Sequence, residues 1–154
     1  MPELGERKLS DLRIGIWRSN EGFPVATEVE ERVNLVAAAL RDAGAQINET
    51  ARPAFAADDS HKIYQHLLQA TMASRMPDES YKSLVEHVKT LDANDDSDSA
   101  RVFRGQVSSF RDWAAANEAR HKLRWAWHEY FSEFDALVMP CLLYTSPSPR
   151  DGHQ

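Results

Sequence analysis

The stretch from Leu12 to Thr50, LRIGIWRSNEGFPVATEVEERVNLVAAALRDAGAQINET, constrains the fold of this chain more than any other. Leu12, Ile14 and Ile16 alternate with Arg13 and Gly15, the period-two pattern of a short strand. SNEG then breaks the pattern, so the strand enters a loop between Trp17 and Gly22. Thr27 and Glu30 have the spacing of a capping box. Val29, Val33, Val36, Leu40 and Ala43 then recur at steps of four and three, and Gly44 follows as the residue type that suits the position after a helix. AQINET reads as a second strand. A connection of this length predicts a parallel pair joined by a right-handed crossover.

From Asp58 onward the pattern is mostly helical. Ile63, Leu67 and Ala70 mark one amphipathic segment that stops before Pro77, and Tyr81, Leu84, Val85 and Val88 mark another that stops near Asp92. In the acidic run from Asp92 to Ala100, Asp92, Asn94 and Asp96 fall where an EF-hand loop has its first ligands. Ser97 stands in place of the turn glycine, however, and Phe103 in place of the closing glutamate, so the run is read as a solvated linker. One long helix is expected over about Ala100–Ser132, with Phe110, Trp113, Ala116, Leu123, Trp127, Tyr130 and Phe134 down one side. Arg120 lies on that line and is read as a side chain snorkelling at the edge of the packed face. DALVM, closed by Pro140, has the form of a third, buried strand. The expected class is therefore α/β, with about three strands and four helices. The strands at Leu12–Trp17, Ala45–Thr50 and Ala136–Met139 should share one sheet, with the Glu28–Ala43 helix on a face.

At 154 residues and 42% hydrophobic content the chain suits one ordinary domain or a piece of one. Its net charge of −6 argues against nucleic acid as a partner, because phosphate binding draws on a surplus of Lys and Arg. No apolar run approaches the roughly 20 residues that span a bilayer, and the first residues lack the apolar core of a signal peptide, so no membrane partner is expected. Cys141 is the lone cysteine, and a reducing cytoplasm is the expected compartment.

The catalytic inventory is thin. His128 and Glu129 open an HExxH-like string that ends on Ser132, without the second zinc-binding histidine. His61, His66, His87 and His121 have no Cys or carboxylate at ligand spacing, and neither metal nor cofactor is expected. Nucleophile-elbow, phosphate-loop and dinucleotide fingerprints are absent from the sequence. Ser108 and Ser109 are placed in mid-helix without a partner base, as part of a polar face.

LRIGIW…FPVATEVEERVNLVAAALRDAGAQI, then RPAF, then RWAWHEYFSEFDALVMP, resembles the C-terminal half of the amidase signature family in order and spacing, over roughly Leu12 to Pro140. The resemblance implies a fragment of that family's mixed sheet with its covering helices. It implies, for the whole enzyme, hydrolysis of a small-molecule carboxylic amide by a serine nucleophile, a second serine and a lysine base, and it allows a homodimer. Those three residues belong to the family's N-terminal half, so no catalytic residue is assigned in this chain, and the chain by itself is expected to be inactive. A glutamine-dependent amidotransferase subunit of the same family, or a non-catalytic α/β interaction module, is the alternative.

Three segments are expected: a leader or linker over residues 1–11, the amidase-like part over 12–140, and a non-native tail over 141–154. Residues Cys141 to Asp151, CLLYTSPSPRD, match the translation of a mosaic-end adaptor from a transposase-prepared sequencing library, which places a gene truncation after Pro140. Ligands in open α/β sheets sit outside the carboxyl ends of strands, which nominates Trp17, Phe23 and Met139 as residues facing the substrate cleft.

Overall fold

A computed structural model describes residues 7–20 and 22–140 of the chain. The tail from Cys141 and the first six residues of the leader lie outside the described residues. Two compact units are formed, one from residues 7–52 with 131–140 and the other from Pro53–Tyr130.

The first unit is built on the predicted sheet. Strands β1 (Arg13–Ile16), β2 (Gln46–Asn48) and β3 (Ala136–Val138) lie in the order β2-β1-β3, and both pairs are parallel. Ile14 stands opposite Ile47 on one side and Ala136 on the other, and Ile16 stands opposite Val138. As the central strand, β1 buries Ile14, Gly15 and Ile16, and Ile16 is wholly inaccessible.

Helix α1 (Thr27–Asp42) connects β1 to β2. Its buried stripe differs from the expected one. Val33 and Ala37 enter the core with Ile14, Ile16 and Ala45, and Leu40 packs against them, whereas Val36 is 45% exposed. A step of four from Val33 reaches Ala37, so the helix faces the sheet through a small residue that lets it come close. The start is also shifted: Ala26 occupies the N-cap and Thr27 is the first helical residue, so the expected capping box is not formed. Glu28 and Glu30 instead place negative charge in the first turn, at the positive end of the helix dipole. At the other end Gly44 has φ +94°, its N–H donates to Arg41 O at 2.9 Å, and the Ala45 N–H donates to Leu40 O at 3.0 Å. That pair of bonds is a Schellman closure, which requires the left-handed backbone that glycine adopts without strain.

Residues ahead of β1 are tied into the same unit. Leu9–Asp11 form a 3₁₀ turn, and Arg7 Nη1 donates to Asp135 Oδ1 at 2.8 Å. The Arg13 N–H donates to the other oxygen of Asp135, also at 2.8 Å. The Arg13 amide first, and the Arg7 guanidinium after it, hold the Asp135 carboxyl below the usual carboxylate range.

The second unit is helical: α2 (Ala57–Ala73), α3 (Asp78–Thr90), α4 (Asp98–Gln106) and α5 (Phe110–Glu133), whose last three residues belong to the first unit. The expected single helix over Ala100–Ser132 is thus two, which makes five α-helices among the described residues rather than four. Ser109 explains the break. Its Oγ accepts from the Asp112 N–H at 3.1 Å and donates to the Asp112 carboxylate at 2.6 Å, capping α5. Gly105 lets α2 and α4 meet: a Cβ there would lie 3.0 Å from Gln69 Cβ. In the linker before α4, Arg104 donates to the carbonyls of Asp92 and Asp95, and Ser97 caps α4 through Ala100 N.

The aromatic line of α5 is buried only toward its end. Trp127 packs edge-on against Phe55 and Tyr130, and Tyr130 is buried, while Phe110 is 82% exposed at the start. Arg120 is exposed. Among the described residues no helix is long and apolar enough to cross a membrane.

Candidate functional site

The strand order makes the carboxyl end of β1 a switch point, because the chain leaves it for β2 on one side while β3 lies on the other. Trp17 stands at that end. Its N–H donates to Val138 O at 2.9 Å, which sets it beside Met139 along the register. Met139 is 50% exposed, and Phe23, beyond a small bridge to Asn20, is 37% exposed. The structure therefore sets Trp17 and Met139 at neighbouring strand ends and Phe23 in the loop that follows β1.

Arg52 was not singled out from the sequence and is the organising cation of this end. Its guanidinium carbon lies 5.0 Å from the centroid of the Trp17 ring. Its Nη1 donates to the carbonyls of Ile16 (3.1 Å), Glu49 (3.2 Å) and Ala51 (2.7 Å). Neutral acceptors and an aromatic face fix its direction and leave its charge uncancelled. The available signal was its place in RPAF, directly after the second strand. Next to it, Glu49 accepts from Arg18 at 2.9 Å and from Arg41 at 2.7 Å. Arg18 first, then Arg41, hold its carboxyl below the usual range, so it stays ionised between two arginines. The arrangement offers an apolar wall and a fixed positive charge, which can orient a ligand.

A second constellation lies within the helical unit, where a cavity of about 500 Å³ opens between α2, α4 and the start of α5. His66 Nε2 and Ser108 Oγ meet in its wall at 2.8 Å. This corrects the reading of Ser108 as a mid-helix serine without a base: it sits in the break between α4 and α5 and is bonded to an imidazole. Lys62, Arg101 and Arg104 add positive charge to the same wall. The Asp58 carboxylate bonded to Lys62 raises the ammonium pKa, and Asp98 does the same for the Arg101 guanidinium, so both remain cationic. The Ser108–His66 pair lacks one element of a nucleophilic triad, since among the described residues no carboxylate is bonded to His66.

Metal chemistry finds no group of ligands: among the described residues no three His, Cys, Asp or Glu side chains gather in a way that could hold an ion. In the run once compared with an EF-hand, the carbonyls of Asp92 and Asp95 are taken by Arg104.

No curated protein and no solved structure matches the chain. A family model described as amidase matches residues 1–153, a span that takes in both units and runs past Pro140. The order of strand, helix, strand and closing strand found in the sheet is the order on which the sequence resemblance rested, and the chain belongs to the amidase family.

Proposed function

We propose that the chain carries the C-terminal part of an amide hydrolase, which converts a carboxylic amide and water into a carboxylate and an amine or ammonia. In this reading the serine nucleophile, the second serine and the lysine base lie in an N-terminal half, and this chain supplies sheet, covering helices and one wall of the cleft. The observation that carries it is the central strand β1 with Trp17 and Arg52 at its carboxyl end, inside a span matched by the family model. Trp17, Phe23 and Met139 would flank the acyl or amine group of a small-molecule amide, and Arg52 would hold the indole in place. The catalytic step needs a base beside a serine and donors for the oxyanion. Ser108 with His66 supplies a serine and a base without the third, orienting group.

The expected compartment is the cytoplasm and the expected assembly of the whole enzyme allows a homodimer. The residues from Cys141 are read as adaptor-derived, on the agreement of Cys141 to Asp151 with a translated adaptor alone. The test is to assay the purified chain against aromatic and aliphatic amides, alone and mixed with the N-terminal half of a full-length relative. No turnover by the chain alone, and turnover in the mixture lowered by Trp17→Ala or Arg52→Met, is the expected result. Amide turnover by the chain alone, abolished by a substitution within it, would overturn the reading. Sequencing the flanking DNA gives an independent check: an in-frame Gly/Ser-rich segment preceded by a lysine supports it, and a stop codon just before Met1 opposes it.

A further inference from the structure

We propose that Ser108 is a nucleophile served by His66, and that it takes the acyl group from aryl esters of short-chain carboxylic acids. Both residues belong to the Pro53–Tyr130 unit, and the amide-hydrolase reading depends on neither.

Helix packing builds the pair. Gly105 lets α2 come so close to α4 that a Cβ there would lie 3.6 Å from His66 Cα. In the break that follows, Ser109 rather than Ser108 caps α5 through Asp112. The Ser108 hydroxyl is thereby left to His66 Nε2, at 2.8 Å. Its other contact, to the Ser109 carbonyl, is longer at 3.2 Å. One hydroxyl proton serves one acceptor at a time, and an imidazole nitrogen is a far stronger base than an amide oxygen. Ser74 and Ser83, by contrast, donate to backbone carbonyls, which take up no proton. With the imidazole proton on Nδ1, Nε2 stands where the base of a nucleophilic serine must stand.

Ser108 also has room for both halves of an ester. Its side chain and that of His66 are half-buried in the wall of the cavity of about 500 Å³, where Val107 and the aliphatic stems of Lys62 and Arg101 offer apolar surface to an aryl ring. Ser108 lines a second cavity too, of about 310 Å³, between the end of α2, the start of α3 and α4. Ala70 and Ala73 in its wall suit a short acyl chain. In the reaction a bond forms from Ser108 Oγ to the carbonyl carbon while the hydroxyl proton passes to His66 Nε2; the ester C–O bond then breaks and the phenolate leaves. A phenolate leaves unaided. The amine of an amide leaves only when protonated, by an imidazolium that a carboxylate stabilises in a triad. Among the described residues no carboxylate is bonded to His66, so the site takes esters and spares amides. Water, with His66 again as base, slowly releases the carboxylate and restores the serine.

The experiment treats the full 154-residue chain with 4-nitrophenyl acetate and, separately, with an alkyl fluorophosphonate, and locates the modified residue by peptide mass spectrometry. About one 4-nitrophenolate per chain should appear in a burst ahead of slower turnover, with the acetyl group on Ser108, and the fluorophosphonate should mark the same serine. The matching amide, 4-nitroacetanilide, should not be cleaved. His66→Gln keeps a hydrogen-bonding partner for the serine but no base, and should slow both modifications at least about 100-fold. A merely structural role for the imidazole predicts no such change. Should His66→Gln fail to fold, His66→Ala, which suits a helix better, decides. No label on Ser108, a burst that survives Ser108→Ala, anilide cleavage as fast as ester cleavage, or a folded His66 variant that reacts as fast as the unaltered chain would each overturn the proposal.

Discussion

Truncating Ile16 to alanine should remove most of the margin by which the sheet unit holds together. Ile16 is wholly buried at the centre of the middle strand. The change deletes three carbons, about 2.4 kcal/mol of transfer free energy at about 0.8 kcal/mol per carbon. A cavity term of similar size is added, about 2 kcal/mol, because the space left cannot collapse. Ala37 and Ala45 share its cluster and have no side-chain length with which to fill a void. The expected loss is therefore about 4 kcal/mol, near the upper part of the range for such truncations. Ile16→Val, which deletes one carbon, should cost about 1 kcal/mol. Leu35→Ala, on the 60% exposed side of α1, should stay within about 0.5 kcal/mol. Urea denaturation followed by circular dichroism measures all three, and hydrogen exchange at the amides of β1 assigns the loss to the sheet. An Ile16→Ala loss below about 1 kcal/mol, or one no greater than that of Leu35→Ala, would refute the reasoning.

Gly44→Ala forces a side chain onto φ +94° where the nearest atom, Ser10 Cβ, is at an ordinary 3.8 Å, so the cost is conformational, about 1–2 kcal/mol in a melting experiment. Ser109→Ala removes the cap of α5 and should cost about 1 kcal/mol, with faster amide exchange in the first turn of that helix. Asp135 has a depressed pKa in the folded state, so the stability it contributes is present above its unfolded value and is lost as pH falls through the folded one. Asp135→Asn should thus flatten the acid limb of the stability profile, and an unchanged limb would show that the Arg13 and Arg7 contacts do not couple to folding. Deleting residues 141–154 should leave the melting midpoint unchanged, and a drop of several degrees would show that the tail packs.

The sheet was legible because its signals are local. Alternation at Leu12, Ile14 and Ile16, the Gly44 stop and the apolar run before Pro140 each sit within one element, and each was found where expected. The break between α4 and α5 was not, because the apolar period runs through it and Ser109 with Asp112 can be read either as a polar face or as a cap. Tertiary geometry decides between those readings. Ala37 replaced Val36 in the core for a related reason: periodicity fixes a stripe to within one position, and the close approach to the sheet selects the smaller residue. At the candidate sites, Trp17 and Met139 could be placed by a rule about strand ends. Arg52 could not, since its role depends on a chain turn that brings it back over the indole. His66 and Ser108 lie 42 residues apart and meet only because α2 packs on α4.

The order β2-β1-β3 also dictates how this protein must emerge from a ribosome. β1 can pair with β2 as soon as α1 has folded, but its other edge has no partner until Ala136–Val138 is made, after all of the helical unit. At roughly 5–20 residues per second that wait is on the order of ten seconds. Throughout it, the most deeply buried of the three strands offers an open row of hydrogen-bonding groups, the very template for pairing with a neighbour on the same message. Translation slowed within the codons for Pro53–Tyr130 would lengthen that exposure, so synonymous changes there should alter soluble yield without altering a single residue.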